Sequence, residues 1–482
     1  MHLTPSLPVH WCMHAGIITL TAAAVLTVPA FAQEAAPIDR DAIVTKHLTP
    51  LIEAYEVPGA MVGLYHDGEL SFHPFGTLNY DTEQAPDLDT LYEFGSIGKV
   101  LTGTFLADAI RRGEVTKNTK LQDIVPEGVT VVKGSEGTEI ELWHLTTHTS
   151  GWGGAPINLV TTDPDRPFSG YTKAMLYPAL GTTPLTFEPG EGFTYSNLAV
   201  GTLGTVLADH LGGEYEALVK ERIIEPLGIT EMTITLNDEQ SSRLAPPTRS
   251  GINTKTWHDP NPFAPAGLWV TSAPQLMTFA MANLAEPEPD APAIYESLAL
   301  AQQPLYFIEP MQQQVCFGWF IARDGQSRWH NGMTGGFSSY LGISHKHDIA
   351  VVVLTNGATF GTTVVGERLF QELAGMNPEP IELKRPDPID NELASRIVGT
   401  YKSQLGFNIE VIVKHDMLYA RLTNQTFNRL HPIDEVNAGE PRFQYDAIDA
   451  DLGFELPEDG NEATAVTLYQ GGREMKCVRV KE

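Results

Sequence analysis

The chain has 482 residues, of which 42% are hydrophobic and 9% aromatic. That is enough apolar material for one large core and a smaller one, and it excludes wholesale disorder. Lys and Arg total 31 against 60 Asp and Glu, a net charge of −29, which repels phosphate backbones and anionic lipid and argues against nucleic acid as a partner.

The N-terminus reads as an export signal. Ala15 to Val28 is apolar or small, and Ala30-Phe31-Ala32 supplies an A-x-A cleavage site before Gln33. No Lys or Arg precedes the apolar run, and a start at Met13 would shorten it without adding charge. The stretch is short and carries Pro29, which makes it a poor membrane span. The reading is a signal peptide over 1–32 and an exported protein, periplasmic or secreted, with no membrane span left after cleavage; an uncleaved anchor is the alternative.

Apolar spacing predicts a helix over 39–55, then a buried strand over 60–65. Asp67-Gly68 is a hairpin turn into a return strand at Leu70 and Phe72. A second helix is predicted over 97–112, with Gly113 as its stop. Residues 151–190 are rich in Gly, Pro, Thr and Asp and read as a long surface excursion that touches substrate. Further helices are predicted over 215–227, 273–284 and 362–373, and consecutive strands over 317–322, 340–344 and 349–355. Strands at both ends with helices between them make an α+β pattern with an antiparallel sheet.

Four prolines between Met376 and Asp390 mark a linker, taken as 379–390. It separates a main domain, 33–378, from 391–482, where short alternating segments predict a small all-β, barrel-like domain. Cys12 is lost with the signal, and Cys316 and Cys477 read as two unpaired, buried thiols. The chain has no C-x-x-C and no H-E-x-x-H, so neither metal nor cofactor is expected.

Three stretches carry chemistry. In Gly95-Ser96-Ile97-Gly98-Lys99, Ser96 starts a helix and Lys99 lies three residues on, on the same face. A serine hydroxyl needs a neighbouring base, and a desolvated lysine can be neutral and serve as one. The helix N-terminus aims N–H groups at developing negative charge. Taken alone, the pair also fits a helix-cap serine followed by a surface lysine. Tyr195-Ser196-Asn197 offers a phenol to shuttle a proton and an amide to hold Lys99 or a substrate; a buried tyrosine in a turn is its bland counterpart. Trp329-His330-Asn331-Gly332-Met333-Thr334-Gly335-Gly336-Phe337 offers a histidine beside glycines that admit a substrate to the backbone, or simply a loop joining strands.

In order and spacing the three stretches resemble the S-x-x-K, Y-x-N and late-strand motifs of serine β-lactamases and penicillin-binding proteins. Over roughly residues 40–375 the chain resembles the class C β-lactamase-related family, which includes family VIII esterases, D-aminopeptidases and D-alanyl-D-alanine carboxypeptidases. Leu145 to Gly151, Pro226 to Thr230 and Pro265 to Leu268 are further family-like phrases. The resemblance implies a β-lactamase/penicillin-binding-protein-like fold and an acyl-enzyme on Ser96. Lys99 and Tyr195 would share the general-base work. The backbone N–H groups of Ser96 and Met333 would form an oxyanion hole, and Asn197, His330 and Gly332 would bind substrate.

The departure is the third motif. K-T-G is absent, and His330-Asn331-Gly332 stands in its place. A mostly neutral histidine grips a carboxylate less well than an ammonium, so the pattern favours cleavage of a small-molecule ester, amide or peptide over efficient β-lactam turnover. The alternatives are a β-lactamase, a D-Ala carboxypeptidase or D-aminopeptidase, and a non-catalytic penicillin-binding-like scaffold. An α/β-hydrolase is disfavoured because Phe94 breaks G-x-S-x-G.

Overall fold

The computed structural model describes residues 38–287, 289–433, 440–446 and 448–480. The signal peptide expected over 1–32 lies outside them. From Asp39 onward the described residues form one compact unit.

Asp39 caps the first helix, Arg40–Glu53, by accepting from the Ala42 N–H at 3.0 Å. The helix buries Ile43, Val44, Leu48 and Leu51. Strand Gly59–His66 then turns through Asp67 and Gly68, both at positive φ, into Glu69–Gly76. These two strands join strands from the far end of the main body. The eight-stranded sheet runs Glu69–Gly76, Gly59–His66, Ile349–Thr355, Ser338–Ser344, Arg328–Met333, Phe320–Ile321, Gln313–Val315, Tyr306–Ile308, with antiparallel neighbours throughout.

Ser338–Ser344 and Ile349–Thr355 are buried at every position, so both faces of the sheet are covered. Register shows by what. Gly63, Val352 and Leu341 are paired across neighbouring strands and share one face, where Met277 of helix Ala273–Leu284 meets Gly63. Tyr340 points to the other face, where it packs on Gly366 of helix Gly361–Leu373.

A helical lobe adjoins this sheet. Helix Gly98–Arg111 is buried at every residue from Gly98 to Ala109, and helix Asn197–His210 from Leu198 to Ala208. A helix buried all round is a core element.

Several local readings change. The excursion over 151–190 contains a helix, Lys173–Thr182, which carries Pro178 within it. The strand expected over 317–322 shrinks to Phe320–Ile321, because Gly318 at φ +81° turns the backbone against the Lys99 carbonyl. The helix expected over 215–227 is three short pieces of α, π and 3-10 geometry, stopped by Gly228 at φ +71°. Helix Asn197–His210 was not anticipated, and the third motif lies on strand Arg328–Met333, as its resemblance to a late-strand motif implied.

Beyond the Pro-rich segment, helix Asn391–Ile397 precedes a closed eight-stranded barrel. Each strand pairs with the next, and Gly399–Ser403 pairs with Arg473–Arg479 to close it. Its core is built from alternating residues such as Ile409, Val411, Leu418, Ala420, Leu452 and Phe454. Cys316 and Cys477 are both buried and free. Among the described residues no helix is long and apolar enough to cross a membrane.

Candidate active site

Ser96 lies in a 3-10 turn, Gly95–Ile97, that leads into helix Gly98–Arg111. The strand before it is held by the pairing of Tyr92–Glu93 with Val270–Thr271. Two glycines let other backbones close on this turn. Gly95 has φ +53°, and a β-carbon there would stand 2.5 Å from the Met333 nitrogen. Gly267 has φ +140°, and a β-carbon there would stand 2.8 Å from the Ser96 nitrogen. Strand Arg328–Met333 and the Ala266-Gly267 turn thus clasp the serine from two sides.

Ser96 is half-buried, whereas Lys99 is completely buried. The Lys99 Nζ lies 2.9 Å from Ser96 Oγ and donates to the Ala266 carbonyl at 2.6 Å. Burial pushes the Lys99 pKa well below the usual lysine range, and no carboxylate pairs with it among the described residues. With one hydrogen committed to Ala266, the neutral amine can turn its lone pair to the serine hydroxyl.

Tyr195 comes from the other side. Its ring centroid lies 4.8 Å from Lys99 Nζ, and its hydroxyl is directed at Ser96. Burial raises the phenol's pKa and Ser96 opposes the rise; because Tyr195 is 38% exposed, solvent screens part of the effect. Ser196 caps helix Asn197–His210 by accepting from the Ala199 N–H at 3.0 Å, which holds Asn197 at the helix start. Asn197 faces the cleft rather than Lys99, whose hydrogen bonds go to Ser96 and Ala266.

His330, Asn331 and Gly332 alternate along their strand. His330 is completely buried, with Nδ1 against the Asn331 carbonyl and Nε2 buried without a partner. Its ring centroid is 6.4 Å from that of Tyr195. Burial pushes its pKa down to about 3, and an ammonium on Lys99 would act in the same direction, so it is an uncharged imidazole at neutral pH. Asn331 turns away from the cleft and donates to Thr363 Oγ1 at 2.9 Å. Gly332 packs on the Phe94 carbonyl, which also accepts from Ser339 Oγ at 2.8 Å.

The cleft over Ser96 is walled by Asn197, Met333 and the aromatic rings of Phe168, Trp257 and Phe263. Among the described residues no charged side chain lines it. Phe168 stacks on Phe263 at 4.2 Å and meets Trp257 edge-on at 5.5 Å. Phe168 lies in the 151–190 excursion expected to touch substrate, whereas Trp257 and Phe263 escaped the sequence reading, as did two buried residues that hold the site in place. Glu93 accepts from the backbone N–H groups of Trp257 and His258 and from His258 Nδ1. His148 lies under Tyr195, with ring centroids 4.3 Å apart. The phrase containing His148 was visible in the sequence, but nothing there tied it to Tyr195.

A family model described as Beta-lactamase matches residues 44–375. The chain belongs to the beta-lactamase family. It is a serine hydrolase of that family, in which a serine acyl-enzyme mechanism is typical. A beta-lactamase of Escherichia coli K12 is 25% identical over 360 residues, covering 67% of this chain and 90% of that protein. Penicillin-binding protein 4 of Amycolatopsis lactamdurans is 26% identical, covering 76% and 96%. The D-alanyl-D-alanine-carboxypeptidase/endopeptidase AmpH of Escherichia coli K12 is 28% identical over 235 residues, covering 48% and 57%. A class C beta-lactamase structure superposes with TM-score 0.61 at 19% identity, covering 70% of this chain and 98% of its own, which establishes the beta-lactamase fold.

Proposed function

We propose that this beta-lactamase-family hydrolase cleaves a small, uncharged carboxylic ester or amide through an acyl-enzyme on Ser96. The observation that carries the reading is the pairing of Ser96 with a buried Lys99 that no carboxylate keeps charged. Ser96 Oγ attacks the carbonyl carbon and passes its proton to Lys99, with Tyr195 sharing the transfer. The backbone N–H groups of Ser96 and Met333, on the wall of one cleft, take the developing oxyanion, and each such donor is worth roughly 3 kcal/mol. As the tetrahedral intermediate collapses, the ester or amide bond breaks and the leaving group takes up the proton. Asn197 orients the substrate. Water, passing a proton through the Tyr195 hydroxyl to the neutral Lys99 amine, then cleaves the acyl-enzyme, and that proton returns to Ser96 Oγ.

The substrate class rests on the third motif. A neutral, buried His330 offers no fixed positive charge for a carboxylate, and the uncharged aromatic walls favour a neutral group. The A-x-A sequence supports export, to the periplasm or beyond, and the Pro-rich segment over 379–390 supports a barrel domain distinct from the hydrolase. The names of the relatives favour a second reading, cleavage of β-lactams or of D-alanyl peptides. A panel of short-chain nitrophenyl esters, a chromogenic cephalosporin and D-amino-acid amides separates the two. Esters are expected to exceed the cephalosporin by at least about tenfold in kcat/KM, equivalent to ~1.4 kcal/mol. Faster turnover of the cephalosporin or of the D-amino-acid amides, both of which carry a charge, overturns the reading of an uncharged substrate in favour of the second.

A further inference from the structure

His148 holds an unusual position for a histidine. Its φ is +63°, a left-handed conformation that a side chain with a β-carbon adopts at a cost. Such strain persists only where surrounding contacts enforce it, and here those contacts converge on one tripeptide. The Thr194 N–H donates to the His148 carbonyl at 3.0 Å. The Ser196 N–H donates to His148 Nδ1 at 3.1 Å. Between them the Tyr195 ring lies on the imidazole at 4.3 Å and an interplanar angle of 32°. The chain before Tyr195, the chain after it and the phenol itself are therefore all held by one residue 47 positions away.

Because Nδ1 accepts from a backbone N–H, it carries no proton of its own; an imidazolium would set N–H against N–H. The groups around the ring agree. Burial comes first in keeping the ring uncharged, any positive charge on Lys99 of the serine helix or His330 of the motif strand would add to it, and Phe193 meets the ring edge-on at 5.8 Å.

We infer that His148 is the positioning residue for Tyr195, an uncharged imidazole that clamps the backbone on both sides of the phenol and sets the phenol's place against Ser96 and Lys99. The inference rests on the proposed role of Tyr195 as a proton carrier. It adds a residue outside the three motifs, and it accounts for the left-handed backbone.

The test uses the full chain and nitrophenyl acetate. His148→Gly removes the ring and the acceptor but suits φ +63°, while His148→Asn, also tolerant of that region, keeps an acceptor near Nδ1. His148→Gly is expected to lower kcat about ten- to a hundredfold with KM within about threefold, and His148→Asn to recover part of the loss. Tyr195→Phe alone is expected to lower turnover by roughly 10²–10⁴. Adding His148→Gly to Tyr195→Phe is expected to cost less than about a further twofold, because the group being positioned is already gone. Fully additive losses, or an unchanged kcat in His148→Gly beside a slow Tyr195→Phe, overturn the positioning role. An unchanged rate in Tyr195→Phe itself overturns the reading of Tyr195, and the inference with it.

Discussion

Gly332 lies so close to the Phe94 carbonyl that a β-carbon on it would stand 2.0 Å from that oxygen. The contact joins the third motif to the residue two places before Ser96, backbone against backbone, where neither side can rotate away. Gly332→Ala is therefore expected to push the motif strand off the serine turn. Overpacking of this kind costs about 1–3 kcal/mol, and Ser96 should lose reactivity with it. A thermal melt and the rate of fluorophosphonate labelling check both, and a variant that labels at the parent rate contradicts the expectation.

Ser96→Ala should abolish ester turnover while the protein stays folded, since the serine side chain serves no cap in its turn. Lys99→Met should be nearly as inactive. It also substitutes an apolar side chain of similar length for a wholly buried amine that pairs with no carboxylate among the described residues, so its melting temperature should match or exceed that of the parent. Retention of most activity in either variant would remove that residue from the chemistry.

Among the buried histidines, His144, His148 and His330 make stability depend on pH with a definite sign. Burial is the leading cause for each. It takes His330 down to about 3 and His144 to about 4, and His148 moves in the same direction. The unfolded chain takes up these protons near pH 6.5 and the folded chain does not. Their contribution is full above that value and is lost as pH falls from about 6.5 towards 3. Urea midpoints measured from pH 8 to 4 should fall steadily, and His330→Asn should flatten the curve. His330→Lys places a second amine beside Lys99 in a buried site. It is expected to destabilise the fold rather than build a carboxylate anchor, and an unchanged melting temperature would contradict this.

The barrel is tied to the body by a buried guanidinium. The Arg429 side chain is 4% exposed and donates to the Ala54 carbonyl at 2.8 Å, while pairing with Glu56 at 2.9 Å and Asp446 at 2.8 Å. Tyr419 adds a bond to the Ser250 carbonyl at 2.7 Å, and Lys414 pairs with Asp81 at 2.9 Å. A chain ending at Pro380 loses all of these partners. It is expected to stay soluble and to label at Ser96, with a lower melting temperature than the full chain. Aggregation of the truncated chain would place the domain boundary elsewhere. Arg429→Ala in the full chain should cost about 3–5 kcal/mol, the range for removing one member of a buried ion pair.

Much of this protein was legible in its sequence because the signals are local. Alternation marks the barrel strands, i, i+3 spacing sets Lys99 beside Ser96, and the apolar spacing of 39–53 marks the first helix. Helix Asn197–His210 was missed because its inward face is built from Gly, Ala, Thr and Leu in nearly continuous apolar sequence, which has no amphipathic period to read. What only the tertiary structure decided is which distant residues meet. His148 lies under Tyr195, Glu93 holds the Trp257 wall, and the Ala266 carbonyl fixes the Lys99 amine. It also decided charge state. A lysine and two histidines are written in the sequence as cations in waiting, but burial without carboxylate partners favours the neutral forms of Lys99, His148 and His330, because desolvation is a property of the packed surroundings and not of the residue.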